Sequence, residues 1–142
     1  MNNFATKVRP AFDFLSAVNG YRLAHEEISS SFDNGVLIYE SDHLRVAVVR
    51  DRGQVSFTVR GRGDYRDVDE EILRCLLADA KHYSKTEAVP DFTVASSAGF
   101  LRTNLLAIER LFTAASLEGT IHRAQALQAE RADTLFGPLS SR

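Results

Sequence analysis

Residues 36–60 read Val36-Leu37-Ile38-Tyr39-Glu40-Ser41-Asp42-His43-Leu44-Arg45-Val46-Ala47-Val48-Val49-Arg50-Asp51-Arg52-Gly53-Gln54-Val55-Ser56-Phe57-Thr58-Val59-Arg60. Short apolar segments with a period of two alternate with turn residues, the pattern of an antiparallel sheet. In the middle segment Leu44, Val46 and Val48 share one face, and Arg45, Ala47 and Val49 the other. In the third, Val55, Phe57 and Val59 point inward, while Gln54, Ser56, Thr58 and Arg60 point outward. Ser41-Asp42-His43 makes a tight connection, and Asp51-Arg52-Gly53 a hairpin turn with Gly53 at the positive-φ position. The segments at 36–40 and 44–50 are apolar on both faces. The second face of the sheet therefore calls for a cover: either the C-terminal helices wrapping around or a second subunit.

Upstream, Tyr21, Leu23 and His25 alternate with Arg22, Ala24 and Glu26, which predicts a half-exposed strand ending near Ile28. Turn material follows at 29–35, closing on Asn34-Gly35. Residues 10–19 predict a short helix with Pro10 in its first turn. Ala11, Leu15 and Val18 form its stripe, with Phe12 and Phe14 beside it and Gly20 at its end.

Downstream the period changes to helical at Asp67, with Asp67 or Asp69 as N-cap and Val68, Ile72, Cys75, Leu76 and Ala80 as the buried stripe. A polar loop at 81–91 contains Pro90. A long helix at 97–117, capped by Ser96 or Ser97, carries Leu101, Leu105, Ile108, Leu111 or Phe112, and Ala115. Gly119 interrupts it, and Ile121, Ala124 and Leu127 mark a weaker segment beyond. Residues 1–142 are read as a single α+β domain. Its order is an N-terminal helix, a four-stranded antiparallel meander and two or three C-terminal helices packed on the sheet, with a tail fraying from 137.

The length of 142 residues fits one such domain, and 44% hydrophobic with 25% charged residues is the balance of a soluble globular protein. Cys75 is the only cysteine, which excludes an intramolecular disulfide; set among Ile72, Leu73, Leu76 and Leu77, it reads as a small buried hydrophobe. The first residues lack a basic-then-apolar leader, and no apolar run approaches the roughly 20 residues that span a bilayer. These features lead to the expectation of a cytoplasmic protein without a membrane partner.

No catalytic pattern stands out in the sequence. His25, His43, His82 and His122 are far apart in sequence and make no His-x3-His or Cys-x2-Cys arrangement, so no metal is expected. His25 and Glu27 share a strand face, a pairing that more often belongs to a solvated sheet surface. No nucleophile elbow is present, and Arg60-Gly61-Arg62-Gly63-Asp64 lacks the Gly-Lys-Ser/Thr ending of a phosphate loop. No catalytic residue and no cofactor is assigned.

The charge pattern says more than its sum of −2. Residues 13–42 carry one basic and six acidic side chains, residues 45–66 six arginines and two aspartates, and residues 67–91 three basic and seven acidic side chains. Arg45, Arg50, Arg52, Arg60, Arg62 and Arg66 thus form an arginine-only island, suited to bidentate contact with carboxylates or phosphates. Glu26, Glu27 and Glu40 are the candidates for an acidic surface. The competing reading is internal: the arginines pair with acidic neighbours on the first two strands.

Pro10-Ala11-Phe12-Asp13-Phe14-Leu15 through Gly20-Tyr21, Val36-Leu37-Ile38-Tyr39-Glu40-Ser41 and Arg45-Val46-Ala47-Val48-Val49-Arg50-Asp51-Arg52-Gly53 resemble small, mostly uncharacterised bacterial α+β proteins with a V-x-Y-x-S, V-x-V, D-R-G layout. That kind includes toxin-immunity-like proteins, and the resemblance covers about residues 10–61. It implies the fold and an immunity-like or inhibitory role, and it carries no catalytic signature.

The function expected is a non-enzymatic bacterial protein-binding protein that occludes a partner through the hairpin's polar face or an acidic segment. The alternative is a nucleic-acid-binding or regulatory module using the arginine-rich hairpin, with Phe57 or Tyr65 for stacking. A third reading is a small enzyme or ligand-binding protein with a pocket around Tyr21, His25, Tyr39 and His82. A homodimer through the helix at 97–117 is compatible with the pattern.

Overall fold

A computed structural model describes residues 4–29, 34–84 and 91–137. The expected fraying beyond 137, most of the turn between the first two strands and the Pro90 part of the 81–91 loop lie outside these residues. The chain opens with a π-helical turn, Phe4–Val8, and two short helices, α1 (Arg9–Phe12) and α2 (Phe14–Ala17). Five strands follow: β1 (Arg22–Ile28), β2 (Gly35–Glu40), β3 (Leu44–Asp51), β4 (Gln54–Gly61) and β5 (Val68–Asp69). Helices α3 (Glu70–Leu77), α4 (Val94–Leu111) and α5 (Leu117–Phe136) complete the chain. The α+β class and the antiparallel meander are as read from sequence; the strands lie in the order β1-β2-β3-β4-β5.

The strand count is five, not four. Val68 and Asp69 pair with Val59 and Thr58 before the helix starts. Two residues are too few to display a period, and Asp69 is at the same time the N-cap of α3, accepting from the Ile72 N–H at 3.0 Å.

The N-terminal helix begins earlier than Pro10 and in a different phase. Its buried positions are Phe4, Val8, Phe12 and Leu15, at helical spacing, together with Phe14, whereas Val18 is 79% exposed. The helix breaks at Asp13, whose carboxylate accepts the Tyr39 hydroxyl at 3.1 Å.

β1 carries a register shift between Leu23 and His25. Leu23 faces inward opposite Tyr39, but His25 pairs with Ile38 and so belongs to the outer face. A bulge inverts the alternation that a strict period of two predicts. The β3–β4 hairpin is tighter than the sequence suggests. Only Arg52 and Gly53 lie outside the ladder, and both have positive φ, 54° and 82°. Two left-handed residues give a type I′ turn, whose twist matches the strands.

One core occupies the inner face. Leu37, Tyr39, Leu44, Val46, Val48, Val55, Phe57, Val59 and Val68 pack with Ile72, Leu73, Leu101, Leu105, Ile108, Phe112, Ile121, Ala124 and Leu127 in a single cluster. Phe57 stacks on Phe100 with centroids 6.2 Å apart. The cap of α4 is Thr93, which accepts from the Ser96 N–H at 3.2 Å, in place of Ser96 or Ser97. α4 ends at Leu111 because residues 112–116 turn; the Thr120 hydroxyl then donates to the Leu111 carbonyl at 2.6 Å, tying α5 to it. Gly119 lies inside α5 and interrupts nothing.

Candidate functional site

The outer face of the sheet is the surface that the helices leave uncovered among the described residues. The register sets it out in rows across the strands. Arg22, Glu40, Arg45 and Arg60 form the first row; His25, Ile38, Ala47 and Thr58 the second. Glu27, Val36, Val49 and Ser56 form the third, and Asp51 and Gln54 the last. Val36, Ile38, Ala47 and Val49 are half-buried by their strand neighbours and do not pack against the core. The C-terminal helices therefore do not supply the cover that the doubly apolar strands call for; they pack within the core cluster on the inner face.

The arginines that are contiguous in sequence are divided in space. Strands of eight residues, at about 3.3 Å per residue, hold the hairpin's two ends roughly 23 Å apart. Arg45, Arg60, Arg62 and Arg66 gather at the end where β4 leaves the sheet, Arg50 and Arg52 at the turn. At the first end carboxylates take up most of the charge. Arg60 binds Asp67 at 2.9 Å, a contact that raises its pKa, and Arg62 binds Glu40 at 3.1 Å and the Ser41 carbonyl at 2.9 Å. Arg66 holds Asp64 and Glu118, each at 2.8 Å. Its guanidinium, with the N–H groups of Tyr65 and Arg66, keeps the Asp64 carboxyl well below the usual carboxylate range.

Internal pairing is thus real, but only Glu40 of these acceptors lies on the first two strands. Arg45 has no ionic or hydrogen-bonding partner among the described residues, and its Nε is buried without an acceptor. It is flanked by Glu40 on β2 and by the like-charged Arg60 on β4.

The three acidic candidates do not form one patch. Glu26 faces inward at the sheet edge and binds Arg9 at 2.9 Å, Glu27 lies on the outer face 3.5 Å from the His25 ring, and Glu40 sits at the opposite end of that face between Arg22 and Arg62. Phe57 is in the core and unavailable for stacking; Tyr65 is 83% exposed with the Arg66 guanidinium 5.6 Å from its ring centroid.

Tyr21, His25, Tyr39 and His82 do not converge. Tyr21 and Tyr39 are in the core, His25 is on the outer face, and His82 reaches Glu130 on α5 at 3.1 Å. Sequence reasoning missed a cavity of about 420 Å³ lined by His43, Leu106, Glu109, Arg110, Thr113 and Ala114, because its walls come from the β2–β3 turn, α4 and the turn that follows α4. Glu109 there accepts the Tyr21 hydroxyl at 2.9 Å; burial and this bond push the Tyr21 phenol well above its ordinary range. Cys75 is buried, and desolvation raises its thiol, which disfavours the reactive thiolate. Among the described residues no three metal-ligating side chains cluster, and no helix is long and apolar enough to cross a membrane.

No family model, curated protein or solved structure matches the chain.

Proposed function

We propose that this chain is a non-enzymatic protein-binding protein that docks through the outer face of its sheet, around Ile38, Ala47, Val49 and Arg45. The observation that supports this reading most is the combination on one face of an apolar strip outside the core and a partly buried guanidinium with no partner among the described residues. An apolar centre with a charged rim is the composition of a docking surface, and a desolvated arginine is a common anchor in one. Binding there blocks whatever the partner exposes to it, which is how an immunity-like or inhibitory protein acts. The resemblance of residues 10–61 to small bacterial α+β proteins, a kind that includes toxin-immunity-like ones, points the same way.

A photo-crosslinking amino acid placed at Ala47 tests the reading in cells, with one at the exposed Gln125 on α5 as control. Protein adducts from position 47 and none from 125 are expected. Equal adducts from both, or none from position 47, contradict it.

A further inference from the structure

We infer that the occupant of the outer face is a second copy of this chain, packed face to face about a two-fold axis that runs across the strands. The inference rests on the docking reading above and names its partner. Its basis is the arrangement of charge along the strands. One end of the face carries Arg22, Arg45 and Arg60 with Glu40 among them; the other presents Glu27 and Asp51. Arg50 and Arg52 stand near that second end, but Arg50 belongs by register to the inner set and Arg52 to the turn.

Two in-plane axes are available to a symmetric pair of sheets. An axis parallel to the strands lays the arginine row on itself: Glu40 then meets Arg45, but Arg22 meets Arg60, and Glu27 and Asp51 at the other end find no basic partner. An axis across the strands reverses their direction and lays that row on the carboxylate end. Row by row, Arg45 then meets the second copy's Asp51, Ile38 meets Val36, Ala47 meets Val49 and Thr58 meets Ser56. Small residues oppose larger ones, and apolar residues oppose apolar ones. The roughly 30° rotation usual for packed sheets displaces the outer pairs by a few ångströms, within the reach of an arginine.

A receptor for that arginine is already formed. A cavity of about 290 Å³ lies at the carboxylate end, lined by Glu27, Asp51, Val36 and Val49 together with Ser29, Asn34, Gly35 and Arg50, so that its carboxylates outnumber its one cation. Its apolar walls suit the arginine stem and its two carboxylates suit the guanidinium. Arg45, without a partner among the described residues, is the group that the axis delivers there. The four strands, about 4.8 Å apart and about 17 to 23 Å long, present roughly 400 Å² a side, below the range of stable specific interfaces and in that of weak, transient ones. The pairing is accordingly weak, with a dissociation constant on the order of micromolar.

Sedimentation velocity on the whole chain from about 5 to about 200 µM tests this, with thermal unfolding run alongside to confirm that each variant folds. The wild type is expected to shift from monomer to dimer with concentration. Arg45→Glu alone, and the double variant Glu27→Arg/Asp51→Arg alone, are each expected to weaken the dimer at least tenfold. Their equimolar mixture regains it, because positions 45 and 51 again carry opposite charges in both cross-face pairs. A wild type that stays monomeric, reversals that leave the dimer intact, or a mixture that stays monomeric overturns the inference. A monomeric wild type removes the second copy but leaves the docking reading to the crosslinks from position 47, whose loss removes both.

Discussion

Ser97 donates its hydroxyl to the Glu70 carboxylate at 2.6 Å in the interior, where Glu70 is 1% exposed and Ser97 fully enclosed. The other Glu70 oxygen receives Arg74 at 2.8 Å, and the Arg74 guanidinium lies 4.2 Å from the Phe100 ring centroid. A carboxylate is tolerated at the start of α3 because both of its oxygens are bonded and the helix N-terminus is positive. Ser97→Ala leaves one buried oxygen without its donor, at a cost of about 2 kcal/mol, whereas in a Glu70→Gln background the same change costs at least ~1 kcal/mol less. Urea unfolding of the four proteins in this cycle measures the coupling; strict additivity refutes it.

Asp64 makes stability depend on pH. Its carboxyl is held below the ordinary range by Arg66, so the folded state binds fewer protons than the unfolded chain, where aspartate titrates near ~3.9. The contribution is therefore complete above that value and is lost as pH falls through it toward the folded value. Between pH of about 5 and about 2, Asp64→Asn is expected to lose less stability than the wild type, in parallel denaturant titrations. Identical acid limbs contradict the assignment.

Gly35 opens β2 against an aromatic ring. A Cβ there meets the Phe4 ring at 2.7 Å, a separation that side chains do not sustain. Gly35→Ala is expected to destabilise by about 1–3 kcal/mol through displaced packing, and Gly35→Ala/Phe4→Leu to recover part of the loss. A neutral Gly35→Ala shows that the N-terminal helix is not seated on the sheet as described.

Arg52 occupies the left-handed region at φ 54°, the first of two such residues in its turn. Asn-Gly is the preferred pair for this geometry, so Arg52→Asn is expected to stabilise by about 0.5–1 kcal/mol. A lower melting temperature refutes the turn assignment.

Much of the sheet was legible because residues 36–60 alternate so regularly that face and hairpin follow from period alone. The β1 bulge was not: a one-residue insertion leaves composition intact and shows only when His25 is found opposite Ile38. Phe4 and Val8 were missed for a similar reason, since the stripe was phased from Pro10 and the helix breaks at Asp13. At the candidate site, the apolar second face could be foreseen from Ile38, Ala47 and Val49, but not that the C-terminal helices leave it uncovered among the described residues. The isolation of Arg45 could not, because partners such as Asp67 for Arg60 and Glu118 for Arg66 depend on how the β4–β5 loop and α5 come together. A cluster of arginines in sequence became two clusters in space once strand length was taken into account.

The most direct measurement is the accessibility of the outer-face methyl groups to a soluble paramagnetic probe, read by NMR across a dilution series. The methyls of Ile38 and Val49 are expected to become protected as concentration rises, while Leu106, 66% exposed on α4, stays equally accessible throughout. Ile38 and Val49 methyls that relax as fast as those of Leu106 at every concentration would contradict self-association through the sheet.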